Sequence, residues 1–177
     1  VAWVLEQAAC PVVLDADGLN CLGDCISIDR RMGTDWILTP HPGEMARLTG
    51  QSIGQIQGNR TACATQFSQR YPSVTLVLKG AGTLVAQGSW LAQNPTGNPG
   101  MSRGGSGDVL AGMIAALAAQ GLSPWEAACA GVYLHGMAGD AAAAQFSEQA
   151  MLPRDLLACL PEVFLRLERF RDQHGTG

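Results

Sequence analysis

The sequence carries little charge, and neither sign is gathered into a run. Its 11 Lys and Arg residues against 15 Asp and Glu residues give a formal net charge of -4, and the basic residues form no stripe along the chain. A protein that binds nucleic acid generally presents a basic patch that neutralises phosphates. The composition therefore argues against a nucleic-acid partner.

Long apolar runs are also missing. Gly, Pro or a charged residue interrupts each apolar stretch well before the roughly 20 residues that a membrane-spanning helix requires, and no basic segment followed by an apolar core marks a signal peptide. The cysteines form no CxxC pair and have no His at metal-ligand spacing. We expect buried thiols in a reducing, cytoplasmic environment. The six are Cys10, Cys21, Cys25, Cys63, Cys129 and Cys159.

Hydrophobic residues and glycine are plentiful. With 47% hydrophobic residues in 177, the chain can bury a core of ordinary size without disulfide bonds. The chain starts at Val1 within a helical pattern and without Met. We therefore expect a single domain over residues 1–177 that lacks its N-terminal portion.

Helical and strand patterns alternate through the first half of the chain. Residues 1–10 have helical apolar spacing, strands are predicted at residues 12–15, 36–39 and 74–79, and helices at residues 44–48 and 53–71. Residues 83–86 and 89–93 flank Gln87 and Gly88 as a hairpin. Strands joined by helices, followed by a late hairpin, predict an α/β layered fold with a mostly parallel sheet.

The last third is predicted to be helical. Apolar residues line one face of residues 109–120, and a capping box from Ser123 to Glu126, with Pro124 in the first turn, begins a second helix. That helix, through Ala144, is rich in Ala and Gly, which suits packing against the core or a second subunit. Residues 153–171 predict an amphipathic helix with a break at Pro161, and residues 174–177 are expected to fray.

The strongest chemical feature is the glycine-rich segment NPGMSRGGSGD at residues 98–108, which runs directly into a helix. Glycines allow successive N–H groups to surround a phosphate, and the helix N-terminus adds partial positive charge. Asp108 at the helix start is either a simple N-cap or a carboxylate beside the phosphate. Four glycines in so short a segment favour the second interpretation, because capping needs none of them.

This segment resembles the anion hole of ribokinase-like kinases, and in its longer form that of NAD(P)H-hydrate dehydratases. Three other segments are similar to motifs of the same family: VLDADGLN at residues 13–20, LTPHPGE at residues 38–44 and LKGAGT at residues 78–83. The resemblance covers residues 11–157. Each motif follows a predicted strand, where open α/β sheets bind ligands.

The resemblance implies a ribokinase-like fold, ADP or ATP as phosphoryl donor, Mg²⁺, and hydrated NADH or NADPH as substrate. Asp108 would be the catalytic base and would also contact the substrate, together with His41. The residues implied in nucleotide binding are Lys79, Gly80, Ala81, Gly82, Thr83, Asn98, Pro99, Gly100, Met101, Ser102, Arg103, Gly104, Gly105, Ser106 and Gly107. Arg103 stands where the family commonly has Ser or Thr, and either adds a phosphate contact or crowds the loop.

For several individual residues, a purely structural role remains an alternative to the functional one. Lys79 offers a charge to a polyphosphate or is a solvated turn residue. His41 is held between two prolines, and Glu44 three residues later has the spacing at which ribokinase-like enzymes hold Mg²⁺ through water. Asp15 and Asp17 alternate across a strand end, so that one of them faces the site; we take Asp17 as the substrate-binding member. Structural roles are favoured for His135 and for Met101, Met113 and Met137.

The family resemblance also implies a homo-oligomer, and fusion to an upstream hydrate epimerase domain. Two rival functions remain. One is a ribokinase-like kinase of a small vitamin precursor, which would release a stable phosphorylated product. The other is a catalytically silent nucleotide-binding module.

Overall fold

The computed structural model describes residues 2–25 and 35–174. The chain order there is α1 (Ala2–Gln7), β1 (Val12–Leu14), α2 (Ala16–Cys25), β2 (Trp36–Leu38), α3 (Pro42–Thr49), α4 (Ile53–Gly58), α5 (Arg60–Arg70), β3 (Thr75–Leu78), β4 (Leu84–Gln87), β5 (Trp90–Gln93), a 3₁₀ turn (Pro99–Met101), α6 (Ser106–Ala119), α7 (Pro124–Ala150) and α8 (Pro153–His174).

The strands form one mixed sheet whose order across the sheet follows their order along the chain. β1, β2 and β3 are parallel neighbours, and β3, β4 and β5 are antiparallel neighbours. Each parallel step contains at least one helix, as is usual for the crossover connection between parallel strands. The expected α/β fold with a mostly parallel sheet and a late hairpin is confirmed.

The two faces of the sheet bury alternate residues of each strand. Leu38, Leu76 and Leu84 pack with the side chains of α2 to α5. Ile37, Val77 and Val85, each adjacent to one of these leucines in its strand, pack with α6 and α7. Because successive side chains of a strand point to opposite faces, one apolar strand serves both layers. The result is a helix, sheet, helix sandwich, and α8 packs outside α7 through a third cluster.

Glycines let α7 approach its neighbours closely. A Cβ on Gly131 would lie 2.6 Å from Ile114 of α6, one on Gly136 would lie 2.0 Å from Thr96, and one on Gly139 would lie 2.2 Å from Met101. These three glycines serve packing within the chain: Gly131 packs against α6, and Gly136 and Gly139 hold the segment that precedes α6 against α7.

Several predicted boundaries were wrong for local reasons. The helix predicted over residues 53–71 is two helices, because Asn59 (φ -152°, ψ 69°) ends α4 and caps α5 with its side chain. The helix predicted from Val109 begins three residues earlier, at Ser106. Pro161 lies inside an unbroken α8, although its ring removes one helical hydrogen bond. Fraying was expected from residue 174, but His174 is still the last residue of α8; residues 175–177 lie outside the described residues.

The capping box at Ser123 is confirmed: its Oγ accepts from Glu126 N at 3.3 Å, and Glu126 accepts from Ser123 N at 3.0 Å. The expectation of buried thiols is wrong for Cys10 and Cys21, which are exposed, whereas Cys63 and Cys159 are buried and Cys129 is partly buried. The side chain of Cys25 lies outside the part of the chain that is described. No helix among the described residues is long and apolar enough to cross a membrane.

Candidate active site

Polar side chains gather at the edge of the sheet where β1, β2 and β3 end. Asp15 follows β1, Thr39 and His41 follow β2, and Lys79 follows β3. Thr39 Oγ1 donates to the Leu14 carbonyl at 3.2 Å, and the Lys79 N–H donates to the Pro40 carbonyl at 2.9 Å. These bonds tie the three strand ends together, so the side chains beyond them converge on one place.

A charged cluster forms there around the Lys79 ammonium. Its Nζ lies 2.5 Å from Asp15 Oδ1 and 3.9 Å from Glu44 Oε2, and all three side chains are largely buried. The N-terminus of α6 stands over it, since a Cβ on Gly107 would lie 3.3 Å from Lys79 Nζ and 3.5 Å from Asp15 Oδ2. Lys79 is therefore not a solvated turn residue, and its charge lies directly under the glycine-rich loop.

His41 begins α3 and is held by that helix. Its Nδ1 accepts from Gly43 N at 2.9 Å and from Glu44 N at 3.2 Å, and the His41 N–H donates to Glu44 Oε2 at 2.8 Å. Accepting at Nδ1 places the proton of the neutral ring on Nε2, which lies 3.3 Å from Glu44 Oε1. The His41 side chain is nevertheless 55% exposed. Its ring is fixed in direction and open on one side, which suits a substrate contact.

The glycine-rich loop, residues 98–107, is built on α7. Asn98 accepts from Gly100 N at 3.0 Å and donates to Asp140 Oδ1 at 3.0 Å, and Gly97 N donates to Asp140 Oδ2 at 3.0 Å. Gly105, with φ 94°, adopts the left-handed conformation that favours glycine and is the N-cap of α6, without a side-chain cap. The Ser106 N–H donates to the Arg103 carbonyl at 3.2 Å, whereas the N–H groups of Gly107 and Asp108 donate to no backbone carbonyl among the described residues and are left open to a ligand.

Asp108 lies in the first turn of α6 and is exposed. Because Gly105 is the N-cap, Asp108 is the third helical residue and the simple N-cap interpretation is wrong. It therefore belongs to the same first turn as the open Gly107 amide. This is a suitable position for a base that acts on a group held next to a phosphate.

The turn of residues 79–83 leaves amide groups available as well. Gly80 (φ 144°) and Gly82 (φ 59°) have backbone conformations that favour glycine, and Thr83 Oγ1 donates to the Gly80 carbonyl at 3.0 Å. Among the described residues, the N–H groups of Gly80, Ala81 and Gly82 donate to no backbone carbonyl. Two glycine-containing segments with open donors therefore flank the Lys79 ammonium.

The comparisons with known proteins agree with this geometry. A family model described as NAD(P)H-hydrate dehydratase matches residues 1–162. The chain belongs to the NAD(P)H-hydrate dehydratase family.

The family includes relatives of two sizes. The chain is 48% identical over 169 residues to the bifunctional NAD(P)H-hydrate repair enzyme Nnr of Moorella thermoacetica, a match that covers 95% of this chain and 32% of the relative. It is 46% identical over 156 residues to the ADP-dependent (S)-NAD(P)H-hydrate dehydratase of Neisseria meningitidis, covering 86% of this chain and 51% of the relative. The chain thus spans about a third of the first relative and about half of the second.

Two solved structures share the fold of this chain. The Bacillus subtilis ADP/ATP-dependent NAD(P)H-hydrate dehydratase, co-crystallised with ATP and Mg²⁺, superposes with a TM-score of 0.81 at 35% identity, over 90% of this chain and 56% of that one. A ribokinase-like superfamily protein of Enterococcus faecalis gives a TM-score of 0.76 at 29% identity, over 92% of this chain and 56% of that one. The ribokinase-like fold is confirmed.

Two residues that contact the site, Asp15 and Asp140, were not selected from the sequence. Asp15, not Asp17, holds Lys79; Asp17 is exposed in the first turn of α2, where Asn20 donates to it at 3.4 Å. β1 ends at Leu14 and the chain turns at Ala16 (φ 45°), so strand alternation does not extend to Asp17. Asp140 carried no sequence signal, because it lies 42 residues from the Asn98 that it holds.

Two other residues have contacts that bear on their roles. Arg103 donates to the Gln149 carbonyl and so is directed towards the end of α7. His135 is buried on α7, where its Nε2 lies 3.0 Å from the Ser106 carbonyl, and burial lowers the pKa of His135 to about 4. A neutral His135 therefore supports the first residue of α6, in keeping with the structural role expected for it.

Proposed function

We propose that the chain carries the nucleotide-binding and catalytic part of an enzyme that dehydrates hydrated NADH or NADPH with ADP as phosphoryl donor. The observation that carries this proposal is the open start of α6 over the Lys79 ammonium, with the exposed Asp108 in the first turn of that helix. The ADP-dependent relatives, 46% and 37% identical over 86% and 91% of this chain, support it.

The described residues fit a nucleotide phosphate. Gly107 lies so close to Lys79 that a side chain there would enter the space between them, and Gly104 has no atom within 4 Å of its Cβ position. Helix amides and one ammonium together supply donors and positive charge without a crowding side chain. We assign the nucleotide to residues 79–83 and 98–107, and the hydrated nicotinamide to His41, Asp108 and Asp17.

The reaction follows from the chemistry of the substrate. The hydrated ring carries a hydroxyl, and hydroxide is a poor leaving group. Asp108 takes the hydroxyl proton as the oxygen attacks the terminal phosphorus of the donor, and the phosphoanhydride bond breaks to release AMP from ADP, or ADP from ATP. The ring nitrogen lone pair then expels phosphate, and loss of a proton from the adjacent ring carbon restores the reduced nicotinamide.

Magnesium would neutralise charge on the phosphates. Among the described residues no group of three His, Cys, Asp or Glu side chains could hold a metal ion. That fits an ion bound mainly by phosphate oxygens and water, as Mg²⁺ usually is in phosphoryl transfer. Glu44 is the candidate that would reach it through a water molecule, although both of its oxygens already face His41 or Lys79.

A spectroscopic assay tests the proposal. Protein, ADP or ATP, Mg²⁺ and hydrated NADH are combined, and recovery of NADH absorbance is followed with release of AMP or ADP and phosphate. Recovery that depends on nucleotide supports the proposal. A phosphorylated product that persists would instead indicate the vitamin-precursor kinase, and neither product nor NADH would indicate a silent binding module.

The proposal also covers the rest of the polypeptide and its assembly. The bifunctional relatives support an upstream epimerase domain in the same polypeptide, since this chain matches 30% to 32% of two of them. We further propose a cytoplasmic homo-oligomer in which residues 1–177 belong to one ribokinase-like domain with further chain before it. Light scattering on the protein tests the assembly, and a monomer alone would contradict it.

A further inference from the structure

Arg60, the first residue of α5, lies behind the turn of residues 79–83. Its Nη2 donates to the Leu78 carbonyl at 2.8 Å and its Nη1 donates to the Ala81 carbonyl. These two carbonyls flank the turn, one at the end of β3 and one at its tip. A single planar guanidinium therefore forms hydrogen bonds with both the base and the tip of the turn.

The turn is shaped to receive that guanidinium. A Cβ on Gly80 would lie 3.1 Å from Arg60 Cζ and 3.1 Å from its Nη2, so the group packs directly against the Gly80 backbone. Asn59 fixes Arg60 in turn, because its side chain accepts from Ala62 N at 3.1 Å and begins α5. The arrangement needs glycine at position 80 and a helix start at position 60.

In the part of the chain that the structure describes, the hydrogen bonds of the Arg60 side chain go to backbone carbonyls and not to acidic side chains. Among the described residues no carboxylate lies within ion-pair distance of it, and its Nε is buried without a hydrogen-bond partner. In a trans peptide the C=O and N–H point in opposite directions. Carbonyls directed at Arg60 therefore direct the amides of the same peptide groups, Lys79 N–H and Gly82 N–H, away from it.

The N–H groups of Lys79 and Gly82 differ in their hydrogen bonding. Lys79 N–H donates to the Pro40 carbonyl at 2.9 Å, which fixes the base of the turn to the end of β2. Gly82 N–H donates to no backbone carbonyl among the described residues, and is free for a ligand on the side away from Arg60. The two hydrogen bonds of Arg60 thus determine the face of the turn on which the Gly82 N–H is exposed to a ligand.

We propose that Arg60 is a positioning residue that holds residues 79–83 in the form that presents the Gly82 amide to the nucleotide, without itself contacting the nucleotide. This inference rests on the proposed nucleotide site. It differs from a simple charge effect because it requires the fork of the guanidinium, which reaches two carbonyls at once, whereas an ammonium acts as a point charge.

Calorimetric titration with ADP, steady-state assays and thermal melts on Arg60→Lys, Arg60→Met and the control Arg166→Met test this. Arg166 is an exposed residue of α8 that pairs with Glu162. We expect both Arg60 variants to bind ADP at least tenfold more weakly and to raise KM for the nucleotide by the same factor. Their kcat at saturating nucleotide should stay within about threefold of the parent, and Arg166→Met should match the parent throughout.

The outcomes are separable. Parental ADP affinity in Arg60→Lys with weak binding in Arg60→Met would mean that charge alone acts, and would overturn the positioning role. Parental affinity in both, or a lowered melting temperature with unchanged affinity of the folded protein, would overturn it too. If Arg60→Met does not fold, Arg60→Lys, which keeps the charge and most of the stem, decides. A parent that binds no ADP would remove the proposed function itself, and this inference with it.

Discussion

At the scale of single residues, Asp108 carries the chemistry in the proposed reaction. Asp108→Asn removes the proton acceptor but keeps size and shape, so turnover should fall about a hundredfold to ten-thousandfold. Because Gly105 and not Asp108 caps α6, stability should fall by no more than about 1 kcal/mol, the contribution of a first-turn carboxylate. ADP affinity should hold or rise, since a carboxylate near the phosphates is lost.

A turnover assay, an ADP titration and a melt on this variant measure the three effects together. The exposed Asp172 of α8, paired with its neighbour Arg171, gives the control Asp172→Asn, which should resemble the parent. Turnover of the hydrate by Asp108→Asn at close to the parental rate would show that another group is the base.

Asp15 and Asp17 give a matched pair two residues apart. Asp15→Asn leaves the Lys79 ammonium with Glu44 at 3.9 Å as its remaining partner, and loss of the partner of a largely buried charge should destabilise the protein by about 1 to 3 kcal/mol. Asp17 is exposed, so Asp17→Asn should stay within about 0.5 kcal/mol. Chemical denaturation of both variants checks this, and equal stabilities would mean that the Lys79 pair contributes nothing.

The residues of the site were only partly predictable from the sequence. The glycine-rich loop and Asp108 could be found because helix-start chemistry acts within a few positions, whereas Lys79 and His41 were singled out by the motif resemblance. Asp15 was passed over because the turn at Ala16 interrupts the alternation that the prediction assumed. Asp140 and Arg60 act on backbone or side chains far along the chain, and such contacts leave no trace in local spacing.

At the scale of elements, the start of α6 is the part on which nucleotide binding depends. Gly107→Val would place atoms in the space beside Lys79 Nζ and Asp15 Oδ2, since a Cβ alone would already be 3.3 Å and 3.5 Å from them. We expect ADP affinity to fall at least tenfold. Gly112 lies on the same helix with no atom within 4 Å of its Cβ position, so Gly112→Val is the matched control for helix propensity.

Calorimetry with ADP on the two glycine variants makes the comparison. Affinity lost in Gly107→Val and kept in Gly112→Val supports the phosphate site at the helix start. Unchanged ADP affinity in Gly107→Val would place the nucleotide elsewhere.

Element boundaries were predictable where a capping motif stood in the sequence, as at Ser123 and Glu126. They were missed where one apolar pattern continued through a cap. Asn59 separates α4 from α5 although the apolar residues on both sides keep helical spacing. The fold class was still predicted correctly despite these boundary errors. It depends on which strands and helices exist more than on where each one ends.

At the scale of the whole molecule, buried His135 links stability to pH. The imidazole of the unfolded chain takes up a proton near pH 6.5, whereas burial lowers the pKa in the folded protein to about 4. Acidification from pH 6.5 to 4 therefore favours the unfolded chain, with a loss of up to about 3 kcal/mol that is complete below pH 4. Above pH 6.5 both states are neutral and this loss is absent.

Unfolding free energies of the parent and His135→Gln from pH 7 to pH 4 isolate the effect from the carboxylates, which titrate in both proteins. The stability of the parent should fall more steeply than that of the variant. His174→Gln, at an exposed position on α8, should follow the parent. Parallel curves for the parent and His135→Gln would contradict the lowered pKa.

The order of the strands has a consequence for how the chain folds. Since β1 to β5 lie side by side in the order in which they occur, no described strand has to enter between two that are already paired. The hairpin partners β3, β4 and β5 are close in sequence and can pair on the microsecond timescale typical of hairpins. The parallel strands β2 and β1 can then add in succession, each after its connecting helices close the loop. Assembly can thus progress from the hairpin outward, with the long-range pairings, which are the slow ones, coming last.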